Sequence, residues 1–100
     1  MMAQVPKADV VITNPTHYAI AMQYDNTKMA APVVLAKGVD RVADRIRAVA
    51  EEHAIPLVSN PPLARALYDT VEIDQEIPTQ HYRAVAEVIS FVYKLKKKKL

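Results

Sequence analysis

The chain has no cysteine and only one glycine, and each shortage narrows what it can do. Without Cys there is no disulfide framework, no thiolate zinc site and no cysteine nucleophile. With Gly38 alone, no glycine-rich phosphate loop can be built. Aromatic residues supply just 6% of the chain, yet 51% hydrophobic and 24% charged residues place it in the globular range and outside the disordered one. Apolar runs such as Ala30 to Ala36 fall far short of the ~20 residues of a membrane span, and no signal-peptide-like stretch opens the chain. The expectation is a soluble polypeptide. A length of 100 residues suffices for one hydrophobic core and not for two.

Charge is unevenly placed. Lys94 and Lys96 to Lys99 hold five of the thirteen basic residues, so the body from Met1 to Tyr93 carries eight basic against eleven acidic residues, a formal −3. No domain-wide basic face exists, and nucleic acid is not an expected partner. The lysine run reads as a solvated helix end, where cations meet the negative pole of the helix dipole. Binding to acidic lipid or to an acidic partner is the other reading.

Seven prolines punctuate the chain, which has no internal repeat. Ala8 to Thr13 is a short β-branched run stopped by Asn14-Pro15, as expected of a buried strand entering a turn. Tyr18, Ile20, Met22 and Tyr24 then alternate with smaller or polar residues, predicting a second strand, and Asp25 to Lys28 read as the turn after it. Pro32 introduces Val33 to Ala36, a continuous apolar run of the kind buried on both faces in parallel sheets. From Val39 the period changes: Val39, Val42, Ala43, Ile46, Val49 and Ala50 form one face of an amphipathic helix. Ile55 to Val58 is a further strand, so this stretch reads as strand, helix, strand with a parallel crossover. Ser59 and Asn60 can cap a helix starting at Pro61 or Pro62 with Leu63, Ala66 and Leu67 inward. A last helix begins near Pro78, with Tyr82, Val85, Ala86, Ile89, Val92 and Tyr93 toward the core and Val88, Phe91 and Leu95 widening that stripe. The fold class is α/β: a small four-stranded sheet, mixed or largely parallel, flanked by about three to four helices.

The candidate chemistry sits at Asn14-Pro15-Thr16-His17. In a flexible turn an Asn side chain is ordinarily attacked by the next backbone nitrogen, but Pro15 has no N–H with which to do so. What remains is the reverse attack. The Asn14 carboxamide nitrogen strikes its own backbone carbonyl, closes a five-membered imide and expels the Pro15 nitrogen. A primary amide is a poor nucleophile, so the fold must help. Completion within hours corresponds to a barrier of roughly 22 kcal/mol. Strain of about 1–3 kcal/mol and one oriented donor to the developing oxyanion, worth about 3 kcal/mol, together give ~10³ to ~10⁴ in rate. No metal or cofactor is required. His17 can accept the proton that Asn14 loses, pass one to the departing Pro15 nitrogen, or simply hold the turn. Thr16 can orient the scissile carbonyl or satisfy a turn amide. The three histidines, His17, His53 and His81, show no metal-ligand spacing. Asn60-Pro61 is an internal control: engaged as a helix cap, it is expected to stay intact.

Ala3 to Tyr24, centred on Ala-Asp-Val-Val-Ile-Thr-Asn-Pro-Thr-His-Tyr, resembles the cytoplasmic domain of the FlhB family of flagellar export switch proteins and their injectisome relatives. Three further blocks follow in register: Ala31 to Gly38, Asn60 to Tyr68, and Ala84 to Ile89. The four blocks in order are highly specific, whereas Asn-Pro-Thr-His alone arises by chance. Tyr18 and Gln23-Tyr24-Asp25 look more flagellar than injectisome-like.

The resemblance implies self-cleavage between Asn14 and Pro15, with both pieces (1–14 and 15–100) remaining associated and Asn14, Pro15, Thr16 and His17 as site residues. It further implies a switch of export from rod and hook subunits to filament subunits. The implied partners are other export-apparatus proteins, export substrates or a hook-length control protein. It implies as well an upstream membrane-spanning domain, so that this chain is expected to be a fragment from the cytoplasmic face of the bacterial inner membrane. Two alternatives are an inert adaptor of the same fold and a basic-tail module binding membrane or nucleic acid. An enzyme with turnover is not expected, because the nucleophile is consumed.

Overall fold

The computed structural model describes residues 1–15 and 17–98. Four strands, β1 (Val10–Asn14), β2 (Tyr18–Gln23), β3 (Val33–Val39) and β4 (Leu57–Ser59), form one sheet in the order β3-β2-β1-β4. β1 pairs antiparallel with β2 and parallel with β4, and β2 pairs antiparallel with β3. The sheet is mixed. The run Val33 to Ala36, which reads as a parallel strand, lies antiparallel to its neighbour; Val34, Leu35 and Ala36 are buried because helices cover both sides of the sheet, and Val33 is half-buried. β3 and β4 run in the same direction, as the crossover requires, but two strands lie between them.

Alternation along the strands divides the core in two. Val10, Ile12, Ile20, Met22 and Val34 pack against Leu63 and Leu67 of α2 (Pro61–Thr70) and Val85, Ile89 and Val92 of α3 (Tyr82–Lys98). On the other face Val11, Ala19, Ala21 and Ala36 meet Ala43, Ile46 and Ala50 of α1 (Asp40–Glu52). Alanines on both sides let α1 lie close to the sheet, and Gly38 takes this furthest. A Cβ there would stand 2.2 Å from Val42 Cγ1, so the single glycine marks a close approach of strand and helix.

One element goes unforeseen in the sequence and two expectations need correction. Met2–Lys7 is a 3-10 helix that inserts Val5 into the α1-side core, a feature hidden by its short length and internal Pro6. Tyr82 and Tyr93 obey the helical period of α3 but are 43% and 44% exposed. With Tyr24, Pro32, Ile89 and Lys94 they line an open groove of about 540 Å³ instead of entering the core. Phe91 and Leu95 do not widen the buried stripe either, being exposed, whereas Val88 is buried. Of the lysine run, Lys94 and Lys96 are exposed on α3, while the side chains of Lys97 and Lys98 and all of Lys99 lie outside the described residues.

Candidate self-cleavage turn

β1 is the structural support of the site. It lies between β2 and β4, with buried Val10 and Ile12 on one face and Val11 on the other. Its backbone is tied on both sides: the Asp9 N–H donates to Met22 O at 2.8 Å, Val11 N–H to Pro56 O at 2.9 Å, and Asn60 N–H to Thr13 O at 2.8 Å. The last of these fixes the peptide entering Asn14. It also brings the two Asn-Pro dipeptides into neighbouring positions, which nothing in their spacing along the chain indicates.

Asn14 is the final residue of β1 and stands opposite Tyr18. The chain reverses between them, and the His17 N–H donates to the Asn14 carbonyl oxygen at 3.0 Å. That oxygen belongs to the bond that would break, so the donor is placed where an oxyanion would form. Asn14 is half-buried and Pro15 exposed. By alternation Asn14 shares the face of Val10 and Ile12, and it opens onto a groove of about 520 Å³ walled by Pro61, Pro62, Arg65, Ala66 and Asp69 of α2. Among the described residues the Asn14 carboxamide makes no hydrogen bond. The Asn60 carboxamide does: its Oδ1 accepts from Leu63 N–H at 3.3 Å, the expected helix cap.

His17 is brought to Asn14 through its backbone, and its ring turns toward α1. Its carbonyl accepts the Asp40 N–H at 2.9 Å, and Nδ1 lies 3.3 Å from Asp40 Oδ1. Both side chains are well exposed. Asp40 has φ of 48°, a left-handed conformation rare for a residue with a Cβ. The sequence places strain in the turn; among the described residues of the turn, Asn14, Pro15 and His17, none has a positive φ, and the nearest left-handed residue is this Asp40. Thr16 lies outside the described residues.

Behind the turn, Tyr18 packs on Tyr68 with ring centroids 5.2 Å apart, and the Arg65 guanidinium lies 5.9 Å from the Tyr18 centroid. Lys37 Nζ stands 4.8 Å above the Tyr68 ring and donates to Tyr68 O at 2.9 Å, clamping β3 to α2. Sequence reasoning missed Asp40 and Arg65 as neighbours of the turn. Asp40 falls on the polar face of α1 by period, and only the tertiary approach of the α1 start to the turn gives it a role.

The family model described as FlhB HrpN YscU SpaS matches residues 1–92. The chain is 59% identical over 98 residues to the flagellar biosynthetic protein FlhB of Bacillus subtilis, covering 98% of this chain and 27% of that protein. It is 57% identical over 100 residues to FlhB of Salmonella typhimurium, covering 26% of that protein. The chain therefore spans about a quarter of the length of these relatives. The crystal structure of the cytoplasmic domain of FlhB from Shewanella putrefaciens superposes with a TM-score of 0.93 at 52% identity, covering 98% of this chain and 75% of that one. A mutated EscU C-terminal domain superposes with a TM-score of 0.87 at 32% identity, covering 91% of both chains. From residue 1 to residue 92, through the four-stranded sheet and the Asn14-Pro15 turn, this chain belongs to the FlhB HrpN YscU SpaS family.

Proposed function

We propose that this domain severs its own backbone between Asn14 and Pro15 and thereby acts as a specificity switch in a flagellar protein-export apparatus. The observation that carries the reading is the His17 N–H held 3.0 Å from the Asn14 carbonyl oxygen, at the one bond in the turn whose leaving group is a proline nitrogen. Asn14 Nδ2 attacks the Asn14 carbonyl carbon, and negative charge gathers on the oxygen that His17 N–H already contacts. The carbon–nitrogen bond to Pro15 breaks as the imide closes. One proton leaves Nδ2 and one arrives on the Pro15 nitrogen, so the immediate products together weigh the same as the parent. Water then opens the imide. The donor supplies about 3 kcal/mol of the barrier reduction, and the open groove beside Asn14 gives its carboxamide room to rotate into the attacking position. Because the nucleophile is consumed, the reaction runs once.

Cutting here changes a surface without dismantling the domain. Residues 1–14 retain Val5, Val10, Val11 and Ile12 in two cores, each worth about 1.5–3 kcal/mol of burial, together with the ladders to β2 and β4. The event frees the turn, creating a Pro15 ammonium and a new terminus at Asn14 on an exposed edge. We take that altered edge as the means by which export passes from rod and hook subunits to filament subunits. The partners are other export-apparatus proteins, export substrates or a hook-length control protein. The place is the cytoplasmic face of the bacterial inner membrane. Family membership and the flagellar names of the relatives support this assignment.

A denaturing gel of the purified domain tests the cutting. Two bands from a folded species that elutes as one, and a single band from Asn14→Ala, support it. An unbroken wild-type chain favours a non-cutting adaptor of the same fold.

A further inference from the structure

We propose that Asp40 is a positioning residue for the scission, acting on the reacting carbonyl through His17; this rests on the self-cleavage reading above. Three contacts form a continuous chain. Asp40 N–H donates to His17 O at 2.9 Å, Asp40 Oδ1 lies 3.3 Å from His17 Nδ1, and His17 N–H donates to Asn14 O at 3.0 Å. His17 is thus held at its carbonyl and its ring by one residue, while its N–H serves the scissile bond.

Asp40 is the first residue of α1, where helix N–H groups have no partner within the helix. Its N–H goes to the turn, and a left-handed φ of 48° accompanies that direction. Asp and Asn are the side-chain-bearing residues that tolerate this region best. An ionised carboxylate only accepts hydrogen bonds, so His17 Nδ1 carries the ring proton and Nε2 is left as the basic nitrogen. Asp40 thereby fixes the ring's tautomer and holds in place the residue whose N–H serves the scissile carbonyl. The other charged groups at this corner are differently placed. Arg41 follows Asp40 on α1, Arg65 of α2 lies against Tyr18, and Lys37 of β3 is engaged by Tyr68 and approaches Glu72 at 4.0 Å. Among the described residues Asp40 is the charged group in contact with the imidazole.

The test is the first-order rate of scission, followed by mass in freshly refolded protein for wild type, Asp40→Gly, Asp40→Asn, His17→Ala and the Asp40→Gly/His17→Ala pair. Glycine keeps the left-handed backbone and deletes the side chain; asparagine keeps both the backbone and an acceptor oxygen. Asp40→Gly slows scission roughly three- to ten-fold, and Asp40→Asn stays within about two-fold of wild type. In the His17→Ala background Asp40→Gly has no further effect. Nitrogen chemical shifts of the His17 ring give the Nδ1–H tautomer in wild type and lose it in Asp40→Gly. Equal slowing by Asp40→Gly in both backgrounds, an unchanged tautomer, or a wild-type rate in Asp40→Gly overturns the role of Asp40 while leaving self-cleavage standing. A wild-type chain that never cuts overturns self-cleavage and the proposed role together.

Discussion

The His17 N–H meets the Asn14 carbonyl oxygen at 3.0 Å, across the bond that joins Asn14 to Pro15. In the proposed scission nucleophile and electrophile belong to the same residue, and the donor for the developing charge comes from three residues on. Because this donor is a backbone group, replacing the His17 side chain leaves it in place. His17→Ala slows scission by no more than about 10²-fold, whereas Asn14→Ala stops it. Rate constants from intact mass separate the two. Complete loss in both variants would assign the imidazole an indispensable chemical role.

The second Asn-Pro pair behaves differently. Asn60 Oδ1 is occupied by Leu63 N–H, so Asn60-Pro61 stays whole under conditions that cut Asn14-Pro15. Asn60→Ala removes the α2 cap and costs about 1 kcal/mol in urea unfolding, and it leaves cutting at Asn14 intact. Fragments ending at Asn60 would contradict the geometric argument.

Gly38→Ala places a Cβ 2.2 Å from Val42 Cγ1 and destabilises the domain by about 1–3 kcal/mol. Val42→Ala in the same chain recovers only part of that loss, since it removes Cγ1 but keeps the Val42 Cβ, which stands 2.7 Å from the added methyl. Gly38 pairs with Ala19, and Asp40 lies two residues on, so the single variant also shifts the α1 start against the turn. Chemical denaturation of the two variants checks the pairing.

Acid acts through His81. Burial lowers the pKa of this 8%-exposed imidazole below the ordinary 6.5. Thr70 Oγ1 donates to Ala66 O at 2.7 Å and lies 2.8 Å from His81 Nε2, which the Gln80 side-chain nitrogen also approaches at 3.3 Å. The folded state binds fewer protons than the unfolded one, and stability is whole above about pH 6.5 and falls as pH drops below it. Asp25 also has a lowered pKa, through its bonds from Thr27, but its contribution is lost only as pH falls below 3.8. Melting temperatures between pH 7.5 and 5 should therefore decline in wild type and flatten in His81→Gln; an equal decline in both would exclude His81.

Ile12→Ala in the already cut protein costs about 2–5 kcal/mol, because it opens a cavity under the strand that holds residues 1–14. The short fragment then dissociates at a lower urea concentration. Dissociation of wild-type fragments well before global unfolding would show that β1 does not anchor them.

Much of the fold was legible because local pattern and tertiary role agree. The β-branched run before Asn14, the alternation from Tyr18 and the helical period that follows Val39 became β1, β2 and α1, although Val39 itself ends β3, and Asn60 capped its helix as its residue type suggests. Strand order was not legible, since apolar runs fit parallel and antiparallel neighbours equally well. Tyr82 and Tyr93 misled because period reports a shared face without saying whether another element covers it. At the candidate site, the Asn14-Pro15 junction stood out by its covalent chemistry, and His17 by its place two residues on. Asp40 was not, because its contact joins a turn and a helix start that the fold brings together.

The most direct measurement is the intact mass of the folded, unmodified domain, taken over time and read after denaturation. The predicted record is the steady loss of one species and the appearance of two, residues 1–14 and 15–100. The short fragment appears first as the imide, lighter by one water than its hydrolysed form. A single full-length mass after prolonged incubation, or a short fragment that carries the added water from its first appearance, would contradict cyclisation at Asn14.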